Sequence, residues 1–114
     1  MNDLLKIIVE AIDEKQGVNP CVLDFRNISP LTDYFVITNV DNHRLMNAIL
    51  DNVVAKVEQS GHSIKSIEGN QESGWLLIDA YDVIIHIFMS EQREYYALEK
   101  LWSDIPQVNL NEIL

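Results

Sequence analysis

Cysteine and positive charge are both scarce in this chain. Its 114 residues include one cysteine, Cys21, so an internal disulfide framework and a cysteine-rich zinc cluster are excluded. The 8 Lys and Arg stand against 18 Asp and Glu, which gives a formal net charge of −10. Docking on nucleic acid or on an anionic membrane surface needs clustered positive charge and is not expected. A basic protein partner is compatible with this charge, and so is plain solubility.

Glycine clusters and long apolar runs are also missing. The four glycines lie singly, at positions 17, 61, 69 and 74, so the sequence has no glycine-rich loop for phosphates and no nucleophile elbow. No apolar run approaches the ~18–20 residues of a membrane span. The first 15 residues are too acidic, and their apolar run too short, for a signal peptide. With a single cysteine, these features predict a cytoplasmic protein.

The segments that are present alternate between helical and β-type patterns. Apolar spacing predicts helices over 3–15, 42–60 and 91–102, with Asn2, Asp41 or Asn42, and Ser90 as candidate caps. Runs rich in β-branched residues predict strands over 21–25, 34–38, 63–68, 75–78 and 83–88, the last two joined as a hairpin. We therefore predict an α/β fold with one mixed β-sheet and helices packed on it. A single domain is expected over 1–106, followed by a short C-terminal tail over 107–114 that either docks or frays.

Histidine and cysteine give little sign of a reactive site. His43 and His62 lie near helix ends with no other ligand at metal-binding spacing. His86 lies within an apolar strand, where a lone histidine is typically hydrogen-bonded or faces the surface. Cys21 also lies in an apolar strand and is interpreted as an inert packing residue. No metal site and no cofactor are predicted.

Aspartates offer the one route to enzymatic chemistry, because paired carboxylates can hold Mg²⁺. Asp79 and Asp82 flank the predicted hairpin turn, where Asp is favoured for its hydrogen bonds to nearby backbone. Asp24 and Asp33 flank the loop between the first two strands, and no substrate-binding loop accompanies them. Turn chemistry is the simpler interpretation, so no catalytic residue is predicted.

Aromatic residues concentrate in the last third of the chain: Trp75, Tyr81, Tyr95, Tyr96 and Trp102. Trp and Tyr are enriched in protein interfaces, although they also fill cores. Tyr95 and Tyr96 point about 100° apart on a helix, so at least one is expected at a rim or contact surface. Tyr95, Leu98, Leu101 and Trp102 fit one helical stripe. The pattern favours a binding module over an enzyme.

Four blocks of sequence occur in a characteristic order: Asp33 to Ile37 after a Ser-x-x-Thr loop, Ile67 to Gly69 with Gly74 to Asp79, Asp82 to Phe88, and Arg93 to Trp102. Together they resemble the ribosomal silencing factor family, also called Iojap-like. The similarity covers about residues 3–105. It implies a fold like that of nucleotidyltransferases but without the catalytic carboxylates, and a protein that is not an enzyme.

The resemblance further implies a translation repressor. Such a protein would bind the large ribosomal subunit through ribosomal protein L-fourteen and sterically block association with the small subunit, notably when nutrients are short. The family's contact face maps onto Trp75, Leu76 and Leu77, although alternate residues of that strand must face the core. Glu68 and Asp82 are candidate acidic partners at the rim.

The hairpin turn departs from the family pattern. Asp79-Ala80-Tyr81-Asp82 stands where Asp-x-Gly-Asp is usual, so Tyr81 occupies a position that tolerates positive φ when it is glycine. Either the turn differs or contacts hold Tyr81 in place, and Tyr81 joins the candidate contact residues. Two alternative functions stay open: a Mg-dependent nucleotidyl or phosphoryl transferase, and a self-associating homodimer that pairs through the sheet or the last helix.

Overall fold

A five-stranded mixed sheet organises the chain in a computed structural model that describes residues 3–70 and 72–114. The sheet order is β1-β2-β5-β4-β3. β2 and β5 run parallel, and the other neighbours pair antiparallel. The strands are β1 Val18–Asp24, β2 Tyr34–Val40, β3 Ser66–Asn70, β4 Trp75–Asp79 and β5 Val83–Met89. The predicted mixed α/β sheet is therefore confirmed.

Two long helices cover one face of this sheet. They are α1 Asp3–Glu14 and α2 His43–Gln59. Their apolar stripes pack with Val36 of β2, Ile78 of β4 and Ile85 of β5 in one fully buried cluster. The side-chain amide of Asn52 also donates to the Ala11 carbonyl at 2.8 Å and joins the two helices. One layer of helix on sheet thus supplies the main core.

The beginning of α2 distinguishes between its two candidate caps. The backbone N–H of Leu45 donates to Asn42 Oδ1 at 2.8 Å. Asn42 is extended, as an N-cap requires. Asn42, rather than Asp41, therefore caps the helix. The cap predicted for the first helix, Asn2, lies outside the described residues.

Several strand ends differ from the sequence prediction. β1 begins at Val18 rather than 21 and ends before Phe25, and β2 extends to Val40. β3 spans Ser66–Asn70 instead of 63–68, so Gly69 lies within the strand rather than just beyond its end. Gly69 has φ +83°, and a Cβ there would collide with the Trp75 carbonyl. The missing side chain is what lets β3 approach β4 so closely.

The prediction of a single helix over 91–102 is wrong. It is broken into α3 Ser90–Tyr96 and α4 Leu98–Leu101, because Ala97 adopts a left-handed conformation with φ +47°. The break destroys the predicted stripe: Leu98 is buried, whereas Tyr95 is 80% and Leu101 67% exposed. Ser90 is the first helical residue rather than a cap, and its hydroxyl lies 2.6 Å from Asp41 Oδ1.

The C-terminal segment docks rather than frays. The N–H of Val108 donates to the Val22 carbonyl at 2.9 Å, and the Pro106 carbonyl accepts from the Asp24 N–H at 2.8 Å. Beyond a short 3-10 turn at Leu110–Glu112, Ile113 is only 3% exposed within the main core. The segment from 106 to 108 thereby covers the outer edge of β1, which would otherwise leave unpaired backbone groups.

A tight turn joins β4 to β5 and holds Tyr81 in a strained conformation. The Ala80 N–H donates to the Val83 carbonyl at 3.0 Å, and Tyr81 has φ +67°. Asp79 Oδ1 accepts the Tyr81 N–H at 2.9 Å. The turn therefore keeps a positive φ, and a hydrogen bond from the aspartate supports the tyrosine that occupies it. Asp79 performs the turn chemistry interpreted from the sequence.

We expect Tyr81→Gly to raise the free energy of unfolding by about 0.5–1 kcal/mol, because glycine removes the penalty of a left-handed conformation. Tyr81→Ala is the matched control: it deletes the exposed ring and keeps the penalty. Denaturant unfolding of the three proteins measures the difference. A glycine variant less stable than the alanine variant would contradict this account.

Candidate functional site

The sheet face opposite α1 and α2 is the candidate site, and we call it the open face. Side chains alternate along each strand, so those that do not face the two helices lie here. A second apolar cluster on this face contains Leu23, Phe25, Ile37, Phe88 and Leu98, with Phe35, Trp75 and Trp102 packed against it. The segment of α3 and α4 covers only part of this face. Phe35, Trp75, Leu77 and Ile84 are consequently half-buried.

The three candidate residues of β4 divide between the two faces. Trp75 and Leu77 lie on the open face and are half-buried. Leu76 is only 4% exposed and belongs to the core beneath the helices. Leu76 is thus a packing residue and does not form part of a contact surface, as strand alternation requires.

Glu68 joins Trp75 and Leu77, but Tyr81 and Asp82 do not. Glu68 pairs directly with Leu77 in the β3–β4 register and is exposed, so it lies on the same face. Tyr81 and Asp82 are also exposed, but they lie at the far end of β4 from Trp75. The length of β4, roughly 13 Å, separates them from Trp75. The candidate residues therefore form two separate groups on the surface.

Asp82 serves the fold through its backbone. Its carbonyl accepts hydrogen bonds from the Asp33 N–H at 2.8 Å, the Tyr34 N–H at 3.1 Å and the Thr32 hydroxyl at 3.0 Å. These bonds tie the hairpin to the loop that precedes β2. The carboxylate of Asp82 is left at the surface, as a rim residue would be.

Asp24 is held in an ion pair. The Arg26 guanidinium donates to both of its carboxylate oxygens, with Nε–Oδ1 at 3.0 Å and Nη2–Oδ2 at 2.8 Å. This hydrogen bonding lowers the pKa of Asp24. Arg26 also lies 5.3 Å from the centre of the Tyr34 ring. A carboxylate bound in this way is a structural group rather than an acid or base available to a substrate.

The sequence did not single out Tyr96 as a contact residue, although it placed Tyr95 or Tyr96 at a rim. Tyr96 packs against Trp75 with ring centroids 4.6 Å apart and keeps 42% of its surface exposed. Together with Glu68, Gly69, Ser73 and Leu77, these rings line a shallow cavity of about 240 Å³. The position of Tyr96 follows from the break at Ala97, which no local sequence pattern revealed.

His86 lies beneath this cavity. The sequence left open whether it is hydrogen-bonded or faces the surface. It pairs with Leu77 across β4 and β5 and is 4% exposed. The Trp75 indole N–H donates to His86 Nδ1 at 3.1 Å, which confirms the hydrogen-bonded alternative. Burial lowers the pKa of His86 to about 4. The imidazole is therefore neutral at physiological pH.

Metal chemistry receives no geometric support from the part of the chain that the structure describes. Within residues 3–70 and 72–114, no three side chains of His, Cys, Asp or Glu come together as metal ligands. Cys21 is half-buried on the open face, and His43 and His62 are exposed. Over the same residues, no helix has the length and hydropathy to cross a bilayer.

Comparison with known proteins gives a consistent result. The family model described as "Ribosomal silencing factor during starvation" matches residues 1–114. The ribosomal silencing factor RsfS of Halalkalibacterium halodurans is 35% identical over 98% of this chain and 96% of its own length. That of Bacillus subtilis is 36% identical over 95% of this chain and 92% of its own.

More distant proteins extend the similarity. A crystal structure of a Chromobacterium violaceum protein superposes with a TM-score of 0.84 at 28% identity, covering 90% of this chain and 88% of that one. The mouse protein named "Mitochondrial assembly of ribosomal large subunit protein 1" is 30% identical over 87% of this chain and 45% of its own length.

Buried His86 predicts an acid-sensitive fold. The unfolded chain, with an ordinary histidine pKa near 6.5, takes up the proton first as pH falls, whereas the folded chain resists until about pH 4. Stability should therefore be full above pH 6.5 and fall towards pH 4, by at most about 3 kcal/mol from this group. Denaturant unfolding across this range should show the fall in the wild-type protein.

The variant His86→Leu should lack this part of the decline, and His62→Gln, which removes an exposed histidine, is the matched control. Equal pH dependence of unfolding in wild type and His86→Leu would contradict the assignment.

Proposed function

Because the chain belongs to the ribosomal silencing factor family, we propose that it represses translation by binding the large ribosomal subunit through ribosomal protein L-fourteen. The bound protein sterically blocks association with the small subunit. The observation that carries this proposal is the partly uncovered open face, where Trp75, Leu77 and Glu68 are accessible together.

Trp75 has the properties of an interface anchor. Its indole is stacked on Phe88 with ring centroids 5.0 Å apart and is flanked by Tyr96. A tryptophan held in this way loses little conformational entropy on binding, and large aromatic residues in partly desolvated positions dominate interface energies. Leu77 extends the apolar surface beside it. This group can seat a complementary patch of another protein.

Charge favours a basic partner. The net charge of −10 attracts a positively charged protein. Glu68 lies beside Leu77, and no salt bridge to Glu68 is found among the described residues. Its carboxylate is therefore available to a partner. Ribosomal protein, rather than ribosomal RNA, is the surface that suits this chain.

The family description and one relative support the finer points. The family model is described as acting during starvation, which supports a role in nutrient limitation. The mouse relative is named for assembly of the large subunit of the mitochondrial ribosome, which supports that subunit as the partner. The described residues span about 34 × 33 × 26 Å, and this volume would act as the steric obstacle. We place this action in the cytoplasm and assign the chain no catalytic role.

Self-association is a second proposal, and it is compatible with the first. Tyr95 and Leu101 are 80% and 67% exposed and lie on either side of the break at Ala97. Two large apolar side chains at the surface of α3 and α4 could pair in a homodimer. Light scattering should then give twice the 13.1 kDa chain mass, and Tyr95→Ser with Leu101→Ser should return it to the monomer value. A monomeric wild-type protein would exclude this second proposal.

Sedimentation tests the main proposal. Separated subunits are mixed with a several-fold molar excess of the protein, and the fraction of joined ribosomes is measured on a gradient. We expect that fraction to fall and the protein to sediment with the large subunit. Unchanged joining together with no protein on the large subunit would exclude the proposal.

Variants of the open face test where binding occurs. Trp75→Ala should weaken binding to isolated large subunits about 30-fold, as expected for an aromatic hot spot worth about 2 kcal/mol. Glu68→Lys should weaken it several-fold, with a larger effect at low salt. Affinity is measured by co-sedimentation across a protein titration.

Both variants have controls on the other side of the sheet. Ile67 precedes Glu68, is 45% exposed and pairs with Ile78, so Ile67→Ala removes an apolar side chain from the opposite face. Glu58→Lys makes the same charge change at an exposed position of α2. These controls should bind like the wild type. Equal losses in variants and controls would place the contact elsewhere.

A further inference from the structure

Among the described residues, the side chain of Trp75 makes one hydrogen bond. Its indole N–H donates to His86 Nδ1 at 3.1 Å, across the pairing of β4 with β5. The two rings lie 5.8 Å apart at 38°. The packing of Phe88 and Tyr96 sets the plane of the indole. The hydrogen bond adds a direction, because it determines which edge of the ring points inward.

This bond requires one particular form of the imidazole. The indole nitrogen can only donate, so His86 Nδ1 must accept and cannot carry a proton. A neutral histidine then carries its proton on Nε2. A charged histidine would present an N–H at both positions and would lose the bond. The structure thus selects the neutral Nε2–H tautomer.

His86 is a poor residue for stability alone. Its Nε2 is buried and has no hydrogen-bond partner among the described residues. Its surroundings are aromatic, with the Phe35 ring at 5.0 Å and the Phe88 ring at 6.2 Å. A buried donor without an acceptor is unfavourable, and an apolar side chain of similar size would avoid that loss. The bond from Nδ1 to Trp75 is the contribution that an apolar residue could not make.

We propose that His86 is a positioning residue that acts through Trp75, holding the indole in the orientation that a protein partner meets on the open face. This inference rests on the proposed function, since it concerns the same surface. His86 itself is 4% exposed and lies below that surface. It should therefore affect binding only while Trp75 is present.

The unmodified protein provides the first test. Nitrogen-15 NMR of the imidazole should show His86 with a bare Nδ1 and a protonated Nε2 at neutral pH. The chain has two tryptophans, and a Trp102→Phe spectrum assigns the remaining indole signal to Trp75. That indole N–H should exchange slowly with solvent. A protonated Nδ1, or a Trp75 N–H that exchanges as in an unfolded peptide, would overturn the proposal.

A double-mutant cycle on large subunits is the second test. His86→Leu should weaken binding about three- to tenfold, while the stability at neutral pH stays close to that of the wild type. His86→Asn should restore part of the affinity, because its side-chain oxygen can occupy the place of Nδ1. In a Trp75→Phe background, His86→Leu should cause no further loss, as expected for a residue that acts through another.

The outcomes separate this inference from the function on which it rests. An equal loss from His86→Leu in both backgrounds would show a direct or purely structural role and would overturn the proposal. Wild-type binding by His86→Leu would overturn it as well. If the wild-type protein does not bind large subunits, the proposed function fails, and the NMR measurement still decides whether His86 fixes Trp75. The same measurement decides if the leucine variant does not fold.

Discussion

The register between β4 and β5 is the constraint on which the composition of the open face depends. It sets Trp75 opposite Phe88 and Leu77 opposite His86. A slip of one residue would turn every β4 side chain to the other face, exposing Leu76 and Ile78 and burying Trp75 under the helices. The buried Ile78 and Ile85 pair across these strands and help to fix the register, although neither lies on the open face. By fixing the register, the core determines which residues a partner can reach.

The pairing of β2 with β5 extends this control across the sheet. Most residues of these parallel strands are buried on both faces of the sheet, which explains their nearly continuous apolar sequence. α1 and α2 occupy one face, and the short α3 and α4 cover the other incompletely. The asymmetry leaves a half-covered aromatic surface on one side only. The surface proposed for partner binding therefore lies on one side of the sheet.

Sequence patterns predicted the sheet and its two long helices, because these depend on local periodicity, but they left the cap of α2 open between Asp41 and Asn42. They did not reveal the break at Ala97, since left-handed alanine is a tertiary outcome without a local signal. The same break places Tyr96 against Trp75. The Trp75–His86 bond joins residues 11 positions apart, so it could be found only once the strand register was known. Predicting that Leu76 lies in the core required knowing which face each residue of β4 points to, and not only that the strand exists.

The buried Nε2 of His86 has no hydrogen-bond partner among the described residues, which lowers stability directly below the open face. Departures of this kind concentrate at functional sites.

The central claim is that the open face meets ribosomal protein L-fourteen, and site-specific photo-crosslinking tests it most directly. A photoreactive residue at Leu77 should attach the chain to that protein on large subunits, and one at Glu58 should not. Attachment from position 58 alone would contradict the account.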